Sequence, residues 1–169
     1  MIIDIIMEIL GIIIFYLGLM IVALIHEVGH LAGYKLAKGD DDWNITLGIG
    51  KQLLKTKHLC IHIIPWSGMF LWEKAQTFTK KENIMIVAGG PLFTLMLSLF
   101  FIVLQSVVPE GRSIFIDNFR PINTYIRNYN IVMLLMTIIP MKYPNFIPLI
   151  GNHTSDGMEI FKLMQQKTK

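Results

Sequence analysis

The apolar positions fall into three long runs, and the stretches between them have a different texture. Ile5 to Ile25 is apolar except for Glu8. That is long enough for a helix across a hydrocarbon core, which takes roughly 20 residues. The helical pattern continues through His26 and His30 to about Ala37, where Gly39 and Asp40–Asp41–Asp42 end it. Ile84 to Val108 is a second run, opened by Thr79–Lys80–Lys81–Glu82, which has the form of a capping box. It contains Gly89–Gly90–Pro91, so a kink or a close helix approach is expected there. The third run, Ile126 to Ile139, is about 14 residues, short for a full span. Pro140, Pro144 and Pro148 follow it, and a last short helix starts near Ser155, a good N-cap residue.

Trp43 to Trp72 carries β-branched runs, Ile45–Gly50 and Leu59–Ile64, punctuated by Gly48, Gly50, Pro65 and Gly68. This predicts strands and turns. All three tryptophans (Trp43, Trp66, Trp72) fall here, and Trp favours membrane–water interfaces. The fold class expected is mainly α, a polytopic membrane protein with about three transmembrane helices. The spans are placed at about 5–37, 80–108 and 123–139, with a small membrane-associated β-sheet over about 43–72 and a C-terminal helix over about 155–164. One membrane-embedded core over 1–169 would hold them all.

Composition sharpens this. Hydrophobic residues make up 53% and charged residues 16%, where a soluble domain carries about 25% charged residues. The shortfall excludes disorder and a nucleic-acid-binding tail, and the lipid bilayer becomes the expected surrounding. One cysteine excludes an intramolecular disulfide framework and a Cys-rich zinc module. Eight of the fifteen Lys and Arg residues lie between Gly33 and Asn83, three between Pro109 and Arg127, and four from Met141 onward. The positive-inside rule then expects a multi-pass cell-membrane protein, N-terminus outside, sheet loop and C-terminus cytoplasmic. Met1 to Asp4 lacks Lys and Arg, which favours a retained span over a cleaved signal peptide. Lys162, Lys167 and Lys169 are placed to meet anionic lipid.

The candidate chemistry is His26–Glu27–Val28–Gly29–His30. Helical residues four apart share a face, so both imidazoles reach one metal ion, and Glu27 lies beside them to serve a metal-bound water. Zinc lowers the pKa of such a water towards ~7, and a carboxylate takes its proton during attack on a carbonyl. Ionisable groups at a membrane depth are functional by default. Zinc also needs a third protein ligand. Position 36 is Leu36, and Asn44 to Trp72 has no acidic residue, so the soluble patterns do not supply it. Asp156, followed by Gly157, is the best acidic candidate, and His153 competes with it. His58, Cys60 and His62 alternate along a strand and read as a polar face rather than a second metal site.

Taken together, these blocks resemble the site-2 protease family of intramembrane zinc metalloproteases. His26–Glu27–Val28–Gly29–His30 lies within an apolar run. Leu47–Gly48–Ile49–Gly50 and Ile63–Ile64–Pro65–Trp66–Ser67–Gly68 are similar to the family's glycine-rich strand and Pro-x-Gly-Gly strand end, with Ser67 for the first glycine. Gly89–Gly90–Pro91–Leu92–Phe93–Thr94 is similar to Gly-Pro-x-x-Asn. Ile138–Ile139–Pro140 leading to Asp156–Gly157 is similar to Asn-x-x-Pro and Asp-Gly. The resemblance implies Zn2+ on His26, His30 and Asp156, and Glu27 as general base. It implies a sheet that takes an unwound membrane-protein or peptide substrate by strand addition. It also implies substrate or transition-state contacts from Gly90, Pro91, Thr94 and Thr137. Thr94 and Thr137 stand where the family has Asn, and fifteen residues separate Pro140 from Asp156, more than in the compact motif. No accessory regulatory domain is expected. The function expected is a zinc-dependent intramembrane endopeptidase. The alternatives are a catalytically degenerate peptide-binding relative, motivated by the two Asn-to-Thr departures, and a metal-handling protein.

Overall fold

A computed structural model of the chain describes residues 2–72, 77–107, 114–147 and 149–166, with the side chains of Ile2, Ile3, Trp66 and residues 114–119 left aside. Pro148, Lys167, Lys169 and the Trp66 ring, all named above, lie outside what is described. Among the described residues the chain is mainly helical, with four helices and a small antiparallel sheet.

Helix α1 (Ile2–Leu36) and helix α2 (Lys80–Val107) are each long and apolar enough to cross a membrane. Sequence places the start of α2: the Thr79 amide donates to Glu82 Oε2 at 2.7 Å, and the Glu82 amide donates back to Thr79 Oγ1 at 3.3 Å. This is the reciprocal capping box. The two helices meet at backbone distance. A Cβ on Gly29 would overlap the Gly89 carbonyl, and one on Gly33 would overlap that of Met85. Small residues four apart permit this approach in an apolar helix pair.

Helix α3 (Ile114–Ile138) starts well before the apolar run anticipated at 123–139, and it carries Pro121 inside it. It buries Asn123, Ile126, Asn130 and Leu134, positions at helical spacing. Asn130 Nδ2 donates to the Thr94 carbonyl at 3.1 Å and to Ser98 Oγ at 2.6 Å, which ties α3 to α2.

Strands β1 (Trp43–Lys55) and β2 (Leu59–Trp72) fill the span between α1 and α2, but each doubles back. Trp43–Leu47 pairs with Gly68–Trp72, while Ile45–Leu47 also lies beside Leu59–Ile61, and Gln52–Lys55 pairs back onto Cys60–His62. The reversal of β1 falls at Gly48 and Gly50, whose φ values of 72° and 87° suit glycine. Ile45 and Leu47 pack on Ala23 of α1. The far end of the sheet is held by Tyr16, whose hydroxyl donates to the Ile63 carbonyl at 2.6 Å.

Helix α4 (Asp156–Gln165) is capped by Ser155. Ser155 Oγ donates to the Ile139 carbonyl at 2.7 Å and accepts from the amides of Met141 at 3.1 Å and Met158 at 3.2 Å. Lys80 Nζ donates to the carbonyls of Met164 and Gln166 at the other end of α4. The long segment between Pro140 and Asp156 closes on itself. Lys142 bridges Thr154, and the Tyr143 amide donates to the His153 carbonyl at 2.9 Å. Residues 144–147 and 149–151 thus lie outside this closure, and the two parts of the motif come back together.

Candidate metal centre

His26 and His30 stand one turn apart on α1, and Asp156 opens α4. His26 Nε2 lies 3.1 Å from His30 Nε2 and 3.3 Å from Asp156 Oδ2, and His30 Nε2 lies 3.5 Å from Asp156 Oδ1. These three residues form a candidate metal-binding group whose ligand atoms all lie within 4.8 Å of one another. Both histidines are buried.

The opposite ring nitrogens fix what the inner ones can do. His30 Nδ1 lies 2.9 Å from the Ile86 carbonyl, which only accepts, so Nδ1 carries the hydrogen. His26 Nδ1 lies 2.8 Å from Thr94 Oγ1, and the Thr94 hydroxyl spends its own hydrogen on the Gly90 carbonyl at 3.0 Å. His26 Nδ1 is therefore the donor there as well. With Nδ1 donating, each ring turns its Nε2 inward, and the two face each other and a carboxylate. Such a set is able to hold a cation between its members, and two imidazoles with one carboxylate suit zinc. The residues fit the metal.

Glu27 is buried beside this group, with the Phe70 amide hydrogen-bonded to its carboxylate. A Cβ on Gly68 would overlap Glu27 Oε1, so only glycine lets the sheet edge lie against that side chain. Beside them opens a cavity of about 280 Å³, lined by His26, Glu27, His30, Asp156, Ser67 and Thr137 among others. Thr137 Oγ1 donates to the Leu134 carbonyl of its own helix at 3.0 Å. Tyr143 also lines the cavity; burial first, then the Asp156 and Glu27 carboxylates, push its hydroxyl up to about 12.

The remaining residues with expected roles lie elsewhere. Thr94 is fully buried behind His26. Gly90 leaves room for both imidazoles, since a Cβ there would overlap His30 Nε2. Pro91 faces an apolar groove shared with α4. None of the three lines the cavity. His153 is exposed on the cavity wall and is not one of the three clustered donors. His58 stacks on Trp43 and its ring Nδ1 bonds the Trp43 carbonyl. Sequence reasoning missed the Ile86 and Gly90 carbonyls, which leave no side-chain signature, and the contact of Gly68 with Glu27.

The model of peptidase family M50, the family of the site-2 proteases, matches residues 14–168. The chain belongs to that family. M50 members are membrane-associated metallopeptidases that in general depend on zinc, consistent with two apolar helices and a His-His-Asp group. Among curated proteins, none matches the chain.

Proposed function

We propose that this M50 chain is a zinc-dependent endopeptidase that cuts membrane-embedded or membrane-proximal peptide bonds, as one membrane-embedded core. One observation carries the reading: two histidines with inward-turned Nε2 atoms and a carboxylate converge beside the buried Glu27. His26, His30 and Asp156 would hold the metal, beside the cavity they line. Zinc bound there supplies Lewis-acid chemistry, acidifying water and polarising a carbonyl. Glu27 accepts the proton of the attacking water and passes it to the leaving amine. The Gly68–Trp72 edge lies beside Glu27 and suits an extended substrate added as a strand. A helical substrate must unwind first, because its amides are otherwise spent within the helix. Behind the metal ligands, Thr94 and Gly90 position the imidazoles, and Thr137 is left as the residue of that group facing substrate.

The membrane reading extends this. Helices α1, α2 and α3 are taken as three crossings, with the N-terminus outside and the sheet loop cytoplasmic. Leu36 is twenty positions on from Tyr16, about 30 Å of helix. The end of the sheet bonded to Tyr16 therefore reaches well into the bilayer, which suits the exposed Ile63 and Ile64.

The test measures zinc per chain and cleavage of synthetic apolar single-span peptides in the same micelles. Glu27→Gln is expected to keep about one zinc while turnover falls by about 10²- to 10⁴-fold. Asp156→Ala is expected to lose zinc. Retained turnover in Glu27→Gln removes it as the base. Peptide binding without cleavage by zinc-loaded wild type would select the degenerate relative instead.

A further inference from the structure

Most polar side chains around the cavity have already spent their hydrogens. Thr137 donates to the Leu134 carbonyl, Tyr143 to the Met136 carbonyl, Thr154 to Glu159 and Ser155 to the Ile139 carbonyl. Thr94, where the resemblance led one to expect a substrate-facing amide, is turned away onto His26 and Gly90. Ser67 differs. The residue lines the cavity, and its hydroxyl is buried with no hydrogen-bond partner among the described residues. Leaving a buried hydroxyl unpaired costs free energy, and a native site repays that cost when a ligand supplies the partner.

Its position says which partner. Ser67 directly precedes Gly68, the residue packed on Glu27, so it stands at the start of the sheet edge, on the wall of the cavity that the general base also lines. A peptide laid along Gly68–Trp72 carries its own carbonyls past this point. The chain has serine here, while the positions of both family amides hold threonines whose hydroxyls are committed within the protein.

We infer that the Ser67 hydroxyl is a substrate-binding donor to a backbone carbonyl of the extended peptide next to the cleaved bond. It takes over hydrogen bonding that Thr94 and Thr137 do not offer. The inference rests on the metallopeptidase reading and concerns backbone recognition, not metal binding.

Two probes separate these. Acetohydroxamate engages zinc without a peptide backbone, whereas tripeptide hydroxamates, with residues extending to either side of the chelating group, engage both. Their dissociation constants are measured on zinc-loaded wild type, Ser67→Ala and Ser67→Gly, with zinc per chain as the check on folding. The expected result is about a threefold to tenfold loss for one tripeptide orientation in both variants, with acetohydroxamate affinity and zinc content unchanged. Unchanged tripeptide affinity in both orientations overturns the inference. Equal weakening of acetohydroxamate also overturns it, because Ser67 then acts on the metal site. Failure of acetohydroxamate to bind zinc-loaded wild type would defeat the metallopeptidase reading itself, and the inference with it.

Discussion

At the scale of single residues, the two histidines are oriented through the nitrogen that faces away from the candidate metal site. His30 is locked by a carbonyl, which can only accept. His26 is locked by a hydroxyl, which could do either, and the Gly90 carbonyl decides the direction. Thr94→Val keeps the shape but leaves His26 Nδ1 without its acceptor. Loss of such a supporting bond typically costs 10–100-fold in metal affinity, and that range is expected from chelator competition. Thr94→Ser should hold near wild type, because the hydroxyl remains. Equal affinity for Val and Ser would show that the hydroxyl does not orient the ring. The sequence made His26, Glu27 and His30 legible because helical spacing alone puts them together. The contact of Thr94 with His26 was not legible, since nothing in a linear pattern says which way a side chain in an apolar helix points.

Helices were legible where end signals or apolar length marked them. Thr79 and Glu82 form their capping box, and Ser155 caps α4. The start of α3 was not legible, because its first half mixes Asp117, Asn118, Arg120 and Asn123 with apolar residues. Helix formation does not require an apolar run, and here α3 instead presents one buried face to its neighbours. The sheet was legible as β structure but not in its register, which depends on Gly48 and Gly50 sending β1 back along itself. The contact of α1 with α2 sets the site's precision, since Gly89 touches Gly29 one residue from His30. Gly29→Ala must part the two backbones. Overpacking of this kind costs typically 1–3 kcal/mol, so a lower melting temperature and weaker zinc binding are expected together. A variant unchanged in both would mean the helices have slack at this crossing.

Across the whole molecule, the site joins residues far apart in sequence, so α4 must be held where α1 needs it. Ser155 and Lys80 fasten its two ends, and the bridge between Lys142 and Thr154 absorbs the long segment before it. The same assembly gives the sheet a direction. Its Ile63 end is bonded to Tyr16, far along α1 from Leu36, while the turn at Thr56–His58 lies back beside Trp43 and Ile45. That turn carries Lys57 and directly follows Lys55, and the positive-inside rule assigns such charges to the cytoplasm. Cys60 is the sole cysteine, so Cys60→Ser gives a clean background. In it, Lys57→Cys and Gln165→Cys, both at exposed positions, are expected to react with a membrane-impermeant maleimide in inside-out vesicles and not in sealed right-side-out ones. Reaction of both from the outside would invert the orientation while leaving the metal site as described. Reaction on opposite sides would break the packing of α4 against the start of α2, and with it the placement of Asp156 beside the two histidines.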